Sequence, residues 1–210
     1  MPVTVSSHPT VKVRIDKLRQ KLSYGDMRST IADITNILAS DAVASSFSMS
    51  RGPDARSIMN TNYPTTKVSP SEAAIVPILR SGLSMVDAVE AMLPFPAPVH
   101  HLGMFREATS LSPVEYYNRL PPNEAPPLVF IIDPVIATAG TMSAALQTVH
   151  EWGPEKIVVI SLIASTRGLQ EISRLYPDVS VFVGATDNDL DDNGYLIPGL
   201  GDVGSRLFSV

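Results

Sequence analysis

The sequence contains no cysteine, which excludes disulfides, thiol catalysis and zinc sites built on cysteine. Nor does it have an apolar run long enough to span a bilayer. The segment MPVTVSSHPTVKVR lacks the apolar core of a signal peptide. These absences lead us to expect a cytoplasmic protein with no membrane partner. Basic residues are not in excess: Lys and Arg number 16 against 21 Asp and Glu, a net charge of −5. Nucleic acid, whose binding is dominated by phosphate contacts, is therefore not an expected partner. No solenoid-length repeat is visible, and no GxxxxGK[ST] phosphate loop. Gly82-Leu83-Ser84-Met85-Val86 misses the nucleophile-elbow pattern at its last position. The four histidines, His8, His100, His101 and His150, show no metal-ligand spacing.

What the chain does have is a stretch from Leu128 to Ser143, LVFIIDPVIATAGTMS. Leu128 to Ile132 is an unbroken apolar run, suited to a strand buried on both faces. Asp133-Pro134 stops it, since proline cannot donate to a sheet ladder. Small residues follow, with Thr138 and Thr141 among them. From Met142 to Trp152 the pattern is helical, with Met142, Ala145, Leu146 and Val149 on one face. A small-residue loop between a strand end and a helix start gathers free N–H groups at the positive end of a helix dipole, an arrangement that holds anions. The Asp133 carboxylate would repel phosphate but accept from sugar hydroxyls. The local chemistry suggests a sugar phosphate.

The 210 residues fit one domain. Val11, Ile15, Leu18 and Leu22 predict a first helix. Met27, Ile31, Ile34 and Leu38 predict a second, with Asp26 as its cap. Residues 45–71, rich in Ser, Pro and Asn, read as a long loop with room for a short hairpin. Strands are expected over 73–79, 99–105, 128–132, 156–163 and 179–183, with helices over 83–93, 142–152 and 166–176. Residues 106–127 form a polar excursion, in which 114–120 makes one arm of a hairpin. Residues 184–210 read as irregular. This alternation predicts an α/β fold around a mostly parallel sheet flanked by helices. The acidic DNDLDDNGY fits half a calcium loop, but Leu200 stands where a bidentate Glu is needed, so calcium is rejected.

DPVIATAGT, with the earlier IVPILRSG (Ile75 to Gly82) and the later GYLIPGLGD (Gly194 to Asp202), resembles the type I phosphoribosyltransferases, uracil phosphoribosyltransferases in particular. The resemblance implies their fold, with a small hood formed by C-terminal and N-terminal segments. Within a single domain it marks residues 1–70 as a helical part and loop, 71–184 as the α/β core and 185–210 as the base-binding segment. It implies transfer from phosphoribosyl pyrophosphate (PRPP) to uracil, giving UMP and pyrophosphate, in pyrimidine salvage. Mg²⁺ would be held mainly through PRPP and water, with no direct protein ligand. PRPP would be bound by Arg80, Ser81, Gly82, Arg106, Asp133, Pro134, Val135, Ile136, Ala137, Thr138, Ala139, Gly140, Thr141 and Asp202. Uracil would meet Tyr195, Leu196, Gly201, Asp202 and Val203. Asp202, Asp133 and Arg106 would carry the catalysis. A homodimer or homotetramer and activation by GTP are also implied. Two departures from the family pattern support a second reading, a nucleotide-binding homologue with little or no turnover. Ala139 stands where a second glycine is usual, so a positive-φ conformation could be lost. Ser205 replaces an acidic residue.

Overall fold

A computed structural model describes residues 2–107 and 113–208; the Arg106 side chain lies outside the description. In chain order the elements are β1 (Val3–Val5), α1 (Pro9–Leu18), α2 (Tyr24–Ser46), β2 (Ser48–Arg56), β3 (Asn62–Ser69) and β4 (Ala73–Leu79). A 3₁₀ turn (Ser81–Met85), α3 (Val86–Glu90), β5 (Leu102–Arg106), β6 (Pro113–Asn118), β7 (Leu128–Ile132) and β8 (Val135–Ile136) follow. Then come α4 (Gly140–Trp152), β9 (Lys156–Ser165), α5 (Thr166–Leu175), β10 (Ser180–Asp187), β11 (Asp189–Leu190), β12 (Leu196–Ile197) and α6 (Val203–Phe208).

The main sheet runs β1-β10-β9-β7-β4-β5-β6, with β8 also on β9. All pairings are parallel except β5 with β6. Side chains alternate across a strand, so the apolar runs divide between two cores. Ile75, Leu128, Phe130, Ile132, Val158 and Ile160 pack on one face with α1 and α2. Val76, Val129, Ile131 and Val159 pack on the other with α4 and α5. Every residue of β7 is buried, as its sequence requires. β5 lies to one side of β4 and β7 to the other, with β9 beyond β7. Strand order therefore switches between β4 and β7, and at such a switch open α/β sheets leave a crevice at the strands' carboxyl ends.

Several local expectations are corrected. The cap of α2 is Ser23, whose hydroxyl accepts from Asp26 N at 3.1 Å; Asp26 sits inside the first turn. The helix extends to Ser46, and its buried Thr30 and Thr35 hydroxyls are satisfied by carbonyls four residues back. Residues 48–69 form a long antiparallel hairpin, bulged between Arg51 and Asp54. After β4 a 3₁₀ turn takes the first residues of the expected helix, and α3 covers only Val86–Glu90. Val99 makes only a bridge to Ile75, and β5 begins at Leu102. The tail is partly regular: β11 and β12 form a two-stranded ribbon, and α6 follows. β1, too short to show a period, adds a parallel strand to β10.

Candidate active site

The loop after β7 is shaped by what surrounds it. Pro134 cannot donate, but its carbonyl accepts from Leu162 N and Ile163 N, both at 3.1 Å. The chain therefore stays beside β9 and resumes pairing as β8. Ser165, wholly buried at the end of β9, accepts from Gly168 N at 2.7 Å to cap α5 and donates to the Ala137 carbonyl. A Cβ on Gly168 would lie 2.5 Å from that carbonyl, so the loop rests on backbone that only glycine permits. Ala139 ends the loop at φ 70° and precedes α4 with no side-chain cap. The positive φ is thus retained without glycine. The first-turn N–H groups of α4 are left for a ligand or water.

The turn after β4 lies alongside. The Leu79–Arg80 peptide bond is cis. Ser81 Oγ donates to Asp133 Oδ1 at 2.8 Å and so joins the two loops across the switch. A Cβ on Gly82 would meet the Ile132 carbonyl at 2.5 Å, which makes Gly82 a packing requirement of this turn. Arg80 is exposed beside it.

The third wall is the tail. Asp191 Oδ1 accepts from Asn193 N and Tyr195 N and closes the ribbon's turn, so the acidic run is a turn and not a calcium loop. Gly199 and Gly201 adopt positive φ after the cis Ile197–Pro198 bond. Asp202 then accepts from Ser205 N at 3.2 Å and from Ser205 Oγ at 2.7 Å. Ser205 therefore holds the Asp202 carboxylate through its backbone N–H and its hydroxyl. Arg206 donates to the carbonyls of Leu18, Gln20 and Leu200, and burial lowers its pKa from the ordinary value.

These segments enclose a cleft of about 240 Å³. Of the residues expected from sequence, it gathers Ser81, Asp133, Val135, Ile136, Ala137, Ala139, Thr141, Tyr195, Leu196, Gly201, Asp202 and Val203. Arg80, Gly82, Pro134, Thr138 and Gly140 belong to the same loops without forming its wall. Arg106 ends β5, whose Met104 and Phe105 line the cleft; its side chain lies outside the described residues. Sequence reasoning passed over Met104, Phe105, Asn193 and Gly204, which also line it, and the bracing Ser165 and Gly168. Ser165 had a signal: a Ser at a strand end with a helical period behind it marks a cap. Among the described residues no group of three or more His, Cys, Asp or Glu gathers to hold a metal. Two carboxylates beside a phosphate-sized loop do suit Mg²⁺, which dehydrates reluctantly and needs few protein ligands when phosphates supply the rest.

A crevice at a sheet's switch point, walled by an anion loop with an acidic strand end and by a separate glycine-turned segment, defines a type I phosphoribosyltransferase. The fold is shared with a hypoxanthine-guanine phosphoribosyltransferase from Bacillus anthracis at a TM-score of 0.50 and 8% identity, over 78% of this chain and 80% of that one. The chain belongs to the uracil phosphoribosyltransferase family, whose model matches residues 5–210. The urg2 protein of Schizosaccharomyces pombe is 40% identical over 98% of this chain and 89% of its own. A uracil phosphoribosyltransferase of Roseiflexus sp. is 36% identical over 98% and 97%. The AQ2163 protein from Aquifex aeolicus superposes with a TM-score of 0.91 at 33% identity, covering 99% of this chain and 98% of that one.

Proposed function

We propose that this protein transfers the phosphoribosyl group of PRPP to uracil, releasing pyrophosphate and forming UMP for pyrimidine salvage. One observation carries the reading: the phosphate loop and the glycine-turned tail, far apart in sequence, wall one cleft. The bond from C1′ to the pyrophosphate oxygen breaks as the bond to uracil N1 forms, and the N1 proton leaves. Charge develops on the ribosyl carbon and on the departing pyrophosphate, so positioning and electrostatics matter more than a nucleophile. Residues Ala137 to Thr141 hold the 5′-phosphate on backbone N–H groups, with hydroxyls from Thr138 and Thr141. Asp133, oriented by Ser81, accepts from ribose hydroxyls. Arg80 and Arg106 neutralise pyrophosphate, a task suited to guanidinium forks. Mg²⁺, when bound, neutralises charge on the pyrophosphate; Asp133 and Asp202 are the carboxylates placed to approach it.

Uracil presents acceptor, donor, acceptor along O2, N3–H and O4. Main-chain groups of the Tyr195 to Val203 segment complement that edge, since it offers few polar side chains besides Asp202. Ala139 retains positive φ and Ser205 orients Asp202, so neither departure argues for an inert homologue. We further read the chain as one domain with the parts 1–70, 71–184 and 185–210. It acts in the cytoplasm as a homodimer or homotetramer, and GTP is a candidate activator. No helix among the described residues is long and apolar enough to cross a membrane. The test is pyrophosphate release with PRPP in excess, offering uracil, 5-fluorouracil, cytosine or hypoxanthine, with and without GTP. Uracil and 5-fluorouracil should be used, and cytosine disfavoured by about 10⁴-fold because its reversed edge leaves buried groups unpaired. Comparable use of cytosine, or a preference for hypoxanthine, would overturn the assignment.

A further inference from the structure

We propose that Arg19 and Asp187 form a clamp that sets the selectivity of the base-binding backbone without touching the base. Asp187 closes β10, and its side chain is 6% exposed. Arg19 Nη1 and Nη2 donate to its two carboxylate oxygens, each at 2.8 Å, in a bidentate fork. The pair also grips Gly199 from both sides. Gly199 N donates to Asp187 Oδ2 at 2.9 Å, and the Gly199 carbonyl accepts from Arg19 Nη1 at 3.0 Å. Gly199 holds φ 55°, and a Cβ there would strike the Leu196 carbonyl. Its orientation is therefore doubly fixed, by conformation and by the clamp. One residue on, the Leu200 carbonyl accepts from Arg206 at 2.6 Å. Leu196, Leu200 and Gly201, on either side of the gripped turn, line the cleft.

Main-chain readout discriminates only while the peptide groups keep their direction. A tilted N–H or C=O meets uracil's edge poorly and cytosine's edge less badly. The phosphate loop is braced elsewhere, by Ser165 and Gly168. Loss of the clamp should therefore act on the base and spare PRPP. A merely structural ion pair would lower stability and affect both substrates alike.

This inference rests on the uracil reading, and one experiment separates the two. Steady-state kinetics are measured for wild type, Arg19→Met, Arg19→Lys and Asp187→Asn, with folding checked by circular dichroism. In Arg19→Met the uracil KM should rise about tenfold and the preference for uracil over cytosine should fall about tenfold, with the PRPP KM within about twofold of wild type. Arg19→Lys, keeping charge without the fork, should recover part of the preference. Should Arg19→Met not fold, Arg19→Lys and Asp187→Asn carry the same two readouts. Unchanged uracil KM and selectivity in folded variants would overturn the clamp, as would an equal rise in both KM values. A wild-type chain that makes no UMP would overturn the uracil reading, and the clamp with it.

Discussion

Ala139 holds a left-handed backbone that glycine adopts freely and other residues adopt at a cost of about 1–2 kcal/mol. Its methyl group is buried among Ile136, Met142 and the α4 face, and burying a methyl group returns about 0.8 kcal/mol. The burial offsets part of the cost, and the loop holds its left-handed residue without glycine. The DPVIATAGT motif made this loop legible; whether alanine could carry its conformation was not, because a backbone angle is decided by its neighbours. Arg80 is the complementary case. In sequence it is an isolated charge after a strand, and in the structure it stands exposed beside a turn tied to Asp133. Arg80→Ala should lower kcat/KM by about 10²-fold or more through lost charge on the departing pyrophosphate, and Arg80→Lys should recover only part. Wild-type efficiency in the alanine variant would remove Arg80 from the site.

At the scale of elements, the strands and helices legible in sequence are those with both a sustained period and full burial. β7 and α4 have these properties, and the four α4 residues expected to face inward are the buried ones. The β2–β3 hairpin has neither, since every residue in it is exposed or half-buried; its strands are held by pairing across the ribbon, which leaves no hydrophobic alternation to read. The support beneath the phosphate loop was equally hidden, because Ser165 and Ala137 meet only once β8 and β9 are side by side. Ser165→Ala removes both a helix cap and the partner of a buried carbonyl. It should cost about 1–3 kcal/mol of stability and raise the PRPP KM about fivefold while leaving the uracil KM near wild type. Urea unfolding and substrate titrations check this. Unchanged PRPP kinetics in a destabilised variant would reduce Ser165 to a cap.

For the whole molecule, the α/β class and the succession of core strands and helices along the chain were legible from the alternation of buried runs and helical periods; the order of the strands in the sheet was not. The placement of the N-terminal helices against the sheet was not, because an apolar stripe does not name its partner. Ile58, Met59 and Tyr63 leave exposed apolar groups at and near the hairpin's tip, with Met49 exposed at its base; in the oligomer proposed above, the tip is our candidate contact. Ile58→Asp with Met59→Asp should lower the sedimenting mass toward one chain while the thermal unfolding of the core persists; an unaltered mass would take the tip out of the assembly. The ties between the two ends of the fold have a further consequence for how the protein is made. Arg19 must wait for Asp187, 168 residues later, and β1 must wait for β10 before it has a strand to join. A ribosome can release the phosphate loop and its sheet while the uracil side of the cleft is still unsynthesised. Such a nascent chain could acquire a grip on PRPP before it can choose a base, and only the closing of its last turns onto its first helix would make it an enzyme.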